Sequence, residues 1–292
     1  MSLSDEKKLL FSSEEVDTAI IGDVKITYMK NDVGGTHYLG GVHIEEHASK
    51  IYDLLKMYID PSICIDVGAN YGFTGILMRK HFPLCKLILV EPIPWMQEFL
   101  EFNFSSNKMM FDAFHSAIVS TGKGTSSFGV NERSTQDSRV FPQPGWITSV
   151  VETSIVNLSE LAQDASKDDG VYIKIDTQGW EERVFKSGEE FLSNHTNWFI
   201  KTEFAPMWLE SQGSDPVQLF HYLLERYVVY EAPARVPWKS RVLKDALGNN
   251  LEIGDGEKFV AYVRNLARQD RGWVDLYVLP RPSRRQYPIN SE

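Results

Sequence analysis

The run Ile63-Cys64-Ile65-Asp66-Val67-Gly68-Ala69-Asn70-Tyr71-Gly72 is an apolar strand with an acid near its tip, a glycine-rich turn and a helix start. Further along, Leu87-Ile88-Leu89-Val90 is a second apolar strand, and it ends in Glu91. Two strand-turn-helix units with a carboxylate at each tip make a nucleoside-binding half-site. The carboxylate at the second tip is placed to accept both ribose hydroxyls, with charge-assisted bonds of about 1.5–3 kcal/mol each.

The turn chemistry discriminates between nucleoside ligands. A dinucleotide needs Gly-x-Gly-x-x-Gly, so that backbone amides can close on a pyrophosphate. Here Asn70 stands where the second glycine would be, and an acid at the first tip repels phosphate. S-adenosylmethionine has no phosphate. Its ammonium and sulfonium suit Asp66, and its carboxylate suits the helix N-terminus. The residues expected to hold it are Asp66, Gly68, Asn70, Tyr71, Gly72, Glu91, Pro92 and Asp176. Ser116 is expected at the adenine edge, beside His115. A dinucleotide-dependent oxidoreductase stays open as an alternative, as does a tight turn in which Asp66 is only a cap.

These residues must be positioned by alternating elements. An amphipathic helix over 45–58 carries Ile51, Leu54, Leu55 and Tyr58 on one side, and Pro61 breaks the chain before the first core strand. Strand 63–67, helix 72–82, strand 86–90, helix 95–105 and a short strand around 113–119 follow. Strand 150–156, helix 158–165, strand 171–175, helix 180–192, strand 198–202 and helix 215–226 continue the rhythm. The pattern predicts an α/β, Rossmann-like, mostly parallel seven-stranded sheet with helices on both faces. The tail from 227 reads as strands 228–230, 259–263 and 274–278 around an Asn/Gly turn at 248–250, an antiparallel C-terminal edge. Residues 1–44 read as a lead-in extension with one strand, 24–28. Residues 45–292 read as one catalytic domain, with an insertion at 120–150 of a hairpin and a long loop, and C-terminal strands over 230–292. Long loops in α/β domains are often lids or binding loops.

At 292 residues, 42% of them hydrophobic, the chain can bury roughly three quarters of its unfolded surface. A net charge of -10 argues against a sequence-independent grip on nucleic acid, although Arg281, Arg284 and Arg285 form a local basic group. The two cysteines, Cys64 and Cys85, read as buried thiols and suggest a reducing, cytoplasmic compartment. The segment Met1-Ser2-Leu3-Ser4-Asp5-Glu6-Lys7-Lys8 is not the apolar stretch of a signal peptide. No run approaches the ~20 apolar residues that span a bilayer, so no membrane partner is expected.

Several separated segments resemble one family. Ile65 to Gly72 is similar to motif I of the FkbM-type S-adenosylmethionine-dependent methyltransferases. Glu91-Pro92, with Leu100 and Asn103 beyond, resembles that family's second segment. Ile173-Lys174-Ile175-Asp176-Thr177-Gln178-Gly179-Trp180-Glu181, followed by Val184 and Gly188, resembles its third. The likeness covers roughly residues 60–205. Gln178 departs from the Glu common in the family, and Ser159 from a frequent Asp. The resemblance implies a class I methyltransferase fold and O-methylation of a hydroxyl, often on a sugar or polyketide.

Such a transfer aligns an acceptor oxygen with the S–CH₃ bond, and an alcohol needs a base or a metal for its proton. Asp176 ends a core strand, and Lys174 and Asp176 alternate with Ile173 and Ile175, so both charges point the same way. Glu203 ends a neighbouring strand. Asp176 and Glu203 are therefore the catalytic candidates, and the ligands if Mg²⁺ is used, since its ligands are oxygens. Asp176 could instead cap the turn at Gly179, and Glu181 is either a helix-start charge or a site residue. Trp146, Trp180 and Trp208 lie near the functional edge, where aromatic faces suit sugar rings. The acceptor is expected to be a small molecule or a glycan. Gln178 keeps open a non-catalytic binding module on the same scaffold.

Overall fold

The computed structural model of the protein describes residues 11–40, 44–142, 145–233 and 249–281. Met1 to Lys8, Arg284, Arg285 and the first residue of the 248–250 turn lie outside the described residues.

The central sheet is built from β3 (Ile63–Val67), β4 (Lys86–Val90), β5 (Ala113–His115), β9 (Val171–Ile175), β10 (Trp198–Phe204), β11 (Tyr227–Glu231), the two-residue β12 (Asn249–Asn250) and β13 (Val274–Pro280). Their spatial order is β12-β11-β13-β10-β9-β3-β4-β5. The inner strands β3 and β9 are buried at every position, as expected where helices cover both faces of parallel strands. β3 pairs in parallel with β4 and β9, and β9 with β10. β13 runs antiparallel to both β10 and β11. The late strand is antiparallel as expected, but it enters between β10 and β11 instead of adding at the edge.

The helices α2 (Ile44–Tyr58), α3 (Phe73–His81), α4 (Met96–Ser106), α5 (Leu158–Leu161), α6 (Glu181–Ser187), α7 (Glu189–Asn194), α8 (Pro206–Ser211), α9 (Pro216–Arg226) and α10 (Gly256–Arg264) fall around this sheet. The α4 side chains Phe99, Leu100 and Phe104 are fully buried, each stabilising by about 1.5–3 kcal/mol relative to exposure. The expected strand 259–263 is instead α10. Phe259, Val260 and Val263 are buried while Ala261 is exposed, the spacing of one helix face. Helix 180–192 is two helices, α6 and α7, that meet at Gly188.

The N-terminal segment is more ordered than a lead-in with one strand. β1 (Val16–Ile21) and β2 (Val24–Met29) form an antiparallel hairpin, and α1 (Val33–Leu39) follows. Asn103 of α4 fixes this hairpin to the first turn of the site. Its amide accepts from the Thr27 N–H at 2.8 Å and donates to the carbonyls of Thr27 at 3.0 Å and Tyr71 at 2.9 Å. Residues 113–119 are two strands, because β6 (Ala117–Val119) leaves the central sheet to pair with β8 (Ser149–Val156). With β7 (Thr125–Val130), antiparallel to β8, they make a separate three-stranded sheet. β7 and the loop after it fall within residues 120–150, whereas β6 and β8, which the sequence pattern places in the main alternation, belong to this separate sheet. No helix among the described residues is long and apolar enough to cross a membrane.

Candidate active site

A cavity of about 440 Å³ opens at the carboxyl ends of β3, β4, β9 and β10. Of the residues singled out in the sequence, Gly68, Asn70, Tyr71, Glu91, Pro92, Asp176 and Glu203 line it. Asp66, Gly72 and Ser116 do not.

The turn after β3 is held from three sides. A Cβ at Gly68, whose φ is +81°, would lie 2.0 Å from the carbonyl oxygen of Asp176, so two strand ends meet there only because the residue is glycine. Lys174 Nζ donates to the Gly68 carbonyl at 2.8 Å. The Glu91 carboxylate accepts from the N–H of Asn70 at 2.9 Å and of Ile93 at 3.0 Å. Burial pushes the Glu91 carboxyl up to about 7, against the pull of those two N–H groups. Gly72, at φ +87°, precedes α3, and a side chain there would meet Leu100 at 2.7 Å. Gly72 therefore lets α3 approach α4 and is not in the cavity lining.

Asp66 corrects the expectation of an acid facing the cofactor's cationic end. It lies one residue short of the strand end and is fully buried, 3.3 Å from Lys174 Nζ and beside Gly75 in the first turn of α3. Its charge is spent beneath the cavity floor. Burial raises its carboxyl pKa, opposed by Lys174. For Lys174, burial alone would lower the pKa, but Asp66 and Asp176 outweigh it and the pKa is raised.

Asp66, Lys174 and Lys201 pair directly across β3, β9 and β10, which puts them on one face. One pleat further on, Asp176 and Glu203 form the next row with Asp275, which pairs with Glu203 across β13. Lys201 binds Asp275 at 2.9 Å. The Asp176 side chain is 44% exposed, 3.6 Å from Lys174 Nζ, and accepts from Gln178 Nε2 at 3.2 Å. The residue that departs from the family pattern thus orients the candidate base. Glu203 is different. Its Oε2 is buried without a hydrogen-bond partner. Burial, then the charges of Asp176, Glu181 and Asp275, push its carboxyl pKa well up, which favours its neutral form.

Geometry bears on the Mg²⁺ expectation. Lys174 Nζ stands 3.6 Å from Asp176, and Lys201 lies two residues before Glu203 on the same strand face, so the protein's own ammonium groups stand beside both acids where a metal would need paired anionic oxygens. Among the described residues no group of three or more His, Cys, Asp or Glu side chains could hold a metal. The acid pair does not fit Mg²⁺.

Glu181 is a cap and not a site residue. It is buried, and its Oε1 accepts from the N–H and hydroxyl of Thr177, both at 2.9 Å, and from the N–H of Gly179 at 3.2 Å. Ser116 lies at the break between β5 and β6, outside the lining, and its carbonyl accepts from the Thr153 hydroxyl. The wall there is apolar: Ala117, Ile118, Val119 and Phe128. His115 lies on β5 and its carbonyl accepts from the Glu91 N–H at 3.1 Å. It is not in the lining. Trp180 and Trp208 line the cavity, whereas Trp146 packs edge-on against Trp208 with Arg139 beside both.

Sequence reasoning missed Tyr38 of α1, Lys201, and Trp273 and Asp275 at β13, all in the lining. Trp273 is 54% exposed. Asp275 is the one charged residue in the apolar run Val274–Val278, a local signal that does not say which cavity it reaches. It also missed Asp32, fully buried beside the cavity.

The model of the methyltransferase FkbM domain matches residues 66–230. No curated protein matches the chain. Among solved structures, a methyltransferase FkbM from Methylobacillus flagellatus KT is 14% identical with a TM-score of 0.40, over 75% of this chain. This chain spans about 44% of that protein's length. The O-methyltransferase TomG from Streptomyces achromogenes, involved in tomaymycin synthesis, is 7% identical with a TM-score of 0.43, over 81% of this chain and 80% of that one. A precorrin-6y C5,15-methyltransferase from Geobacter metallireducens GS-15 is 11% identical with a TM-score of 0.42, over 82% and 90%. The substrates named for those proteins belong to those proteins.

Proposed function

We propose, from the premise that this chain belongs to the FkbM methyltransferase domain family, that it methylates a hydroxyl of a small molecule, sugar or glycan with S-adenosylmethionine. The observation that carries this reading is that Glu91 and Asp176, acids at the tips of β4 and β9, line one cavity with the glycine turn between them.

The residues present fit the cofactor. Each Glu91 oxygen accepts one backbone N–H and keeps a lone pair for a ribose hydroxyl. Ala117 to Val119 and Phe128 offer apolar surface to a base. When bound, the cofactor supplies an electrophilic methyl group on a sulfonium. Asp176, half-exposed to the cavity, takes the acceptor hydroxyl's proton. Glu203, in the neutral form that its surroundings favour, donates a hydrogen bond to a neighbouring acceptor oxygen. Trp180, Trp208 and Trp273 offer ring faces to the acceptor and keep water from it.

Calorimetric titration of S-adenosylmethionine into wild-type protein and Glu91→Ala tests the cofactor. Micromolar binding that weakens at least tenfold in the variant, about 1.4 kcal/mol, is expected. No binding to a folded wild type overturns the reading. A panel of glycosides and phenols, scored by S-adenosylhomocysteine release and product mass spectrometry, tests the acceptor. A methyl group found on nitrogen or carbon overturns the hydroxyl assignment.

A further inference from the structure

We propose that Asp32 and Thr135, from two segments on either side of the cavity, are positioning residues that set the cofactor turn through Asn70. The proposal rests on the methyltransferase reading. Asp32 lies outside the family-matched residues 66–230.

The bonds run in one direction. Asp32 is fully buried and accepts four hydrogen bonds: from Gly35 N–H at 2.8 Å, Tyr71 OH at 2.7 Å, and Thr135 N–H and Oγ1–H at 3.2 and 2.5 Å. A hydroxyl has one proton. With that proton given to Asp32, Thr135 Oγ1 can only accept, and it accepts from Asn70 Nδ2 at 3.0 Å. The Asn70 amide is thereby oriented, and its Oδ1 accepts from the Tyr71 N–H at 2.9 Å. Asn70 is in the left-handed region, at φ +46°, which a non-glycine residue holds only with local support. Held so, it gives its own N–H to Glu91, the acid proposed to bind the ribose.

The same contact joins the walls. The Val33 N–H donates to the Arg133 carbonyl at 2.7 Å, and a Cβ at Gly34 would meet Ser134 Oγ at 2.4 Å. The β1–β2–α1 segment and the β7–β8 loop therefore close on the turn together. Position 35 is tight too: a Cβ there would stand 3.0 Å from both Asp32 and Tyr71, which would have to give by a few tenths of an ångström.

The test uses S-adenosylhomocysteine, calorimetry and thermal melting on the full chain. Thr135→Val keeps the shape and removes both roles of the hydroxyl, while Thr135→Ser keeps them. The expected result is an affinity about tenfold weaker in Thr135→Val and within twofold of wild type in Thr135→Ser. Val263→Ala, in α10 away from the cavity, lowers the melting temperature without touching affinity. The pH midpoint of binding is a second readout. Glu91 is affected by the N–H groups of Ile93 and Asn70, by Lys174 and by Asp66. Loosening Asn70 removes one donor that favours its charged form, so the midpoint moves up in Thr135→Val. Should that variant not fold, Thr135→Ala carries the same expectations. Wild-type binding with unchanged affinity and midpoint in the variants overturns the positioning role alone. No binding by folded wild type overturns it together with the methyltransferase reading.

Discussion

Lys174 Nζ donates to the Gly68 carbonyl at 2.8 Å and stands 3.3 Å from the buried carboxylate of Asp66. One ammonium on β9 thus anchors the turn after β3 and neutralises the acid beneath it. The pair is part of the scaffold under the cavity, although its charges look like site chemistry in the sequence.

Lys174→Met strands the Asp66 charge and frees the turn. Removing one member of a buried pair typically costs about 3–5 kcal/mol, and urea unfolding of the variant is expected to show a loss of that order. Lys174→Met/Asp66→Asn should recover part of it, because the remaining group is no longer charged. A double variant no more stable than the single one would refute the pairing argument.

Glu91 links pH to two properties with opposite signs. Its folded carboxyl is raised from 4.5 to about 7. The native state therefore holds a proton that the unfolded chain has lost, and stability from this group falls as pH rises from 4.5 to about 7. Affinity for S-adenosylhomocysteine does the reverse, rising through about 7 as the carboxylate forms and accepts the ribose hydroxyls. Glu91→Gln is expected to flatten both curves. Measured differences between wild type and Glu91→Gln isolate this residue from Glu203 and Asp66, whose carboxyls are also raised.

Two glycines at positive φ separate strain from clash. Gly122, at +97°, has nothing within 4 Å of a built Cβ, whereas Gly68 would drive it into the Asp176 carbonyl. Gly122→Ala should cost only the backbone strain of about 1–2 kcal/mol. Gly68→Ala adds a backbone clash that cannot rotate away, and it is expected to cost more than that and to abolish cofactor binding. Equal melting temperatures for the two variants would contradict the close approach of β3 and β9.

The inner strands were legible because parallel strands covered on both faces are near-continuous apolar runs, broken only by Asp66 in Ile63–Val67 and Lys174 in Val171–Ile175. The same rule misleads at Phe259–Val263, where a short apolar run has no period to tell strand from helix. β1 escaped notice because most of its residues are at least partly exposed, which leaves little alternation to see. Glu91, Asp176 and Glu203 could be placed because a strand's end fixes which edge its last acid faces. Asp32, Tyr38, Trp273 and Asp275 could not, since they reach the cavity only through long-range packing. Asp32 does carry a local signal, accepting from the Gly35 N–H as the cap of α1. That signal says where a helix starts, and nothing in it says that Thr135 and Tyr71 will share the same carboxylate.

Glu203 offers the clearest test of a neutral acid in the site. Its Oε2 is buried without a hydrogen-bond partner, and burial together with Asp176, Glu181 and Asp275 raises its pKa and favours its neutral form. Its folded pKa is raised, so the stability it contributes is complete below about 4.5 and is lost as pH rises toward the folded value. Glu203→Gln keeps the size and a donor but cannot ionise. The variant's unfolding free energy should fall less steeply than wild type's as pH rises, making it the more stable protein under alkaline conditions. Methyl transfer should stay within about tenfold of wild type in Glu203→Gln, because the amide still donates. Asp176→Asn, which removes the proposed base, should lose about 10²–10⁴-fold. If Glu203→Gln is as inactive as Asp176→Asn, Glu203 acts as an anion and its assignment as a donor is wrong.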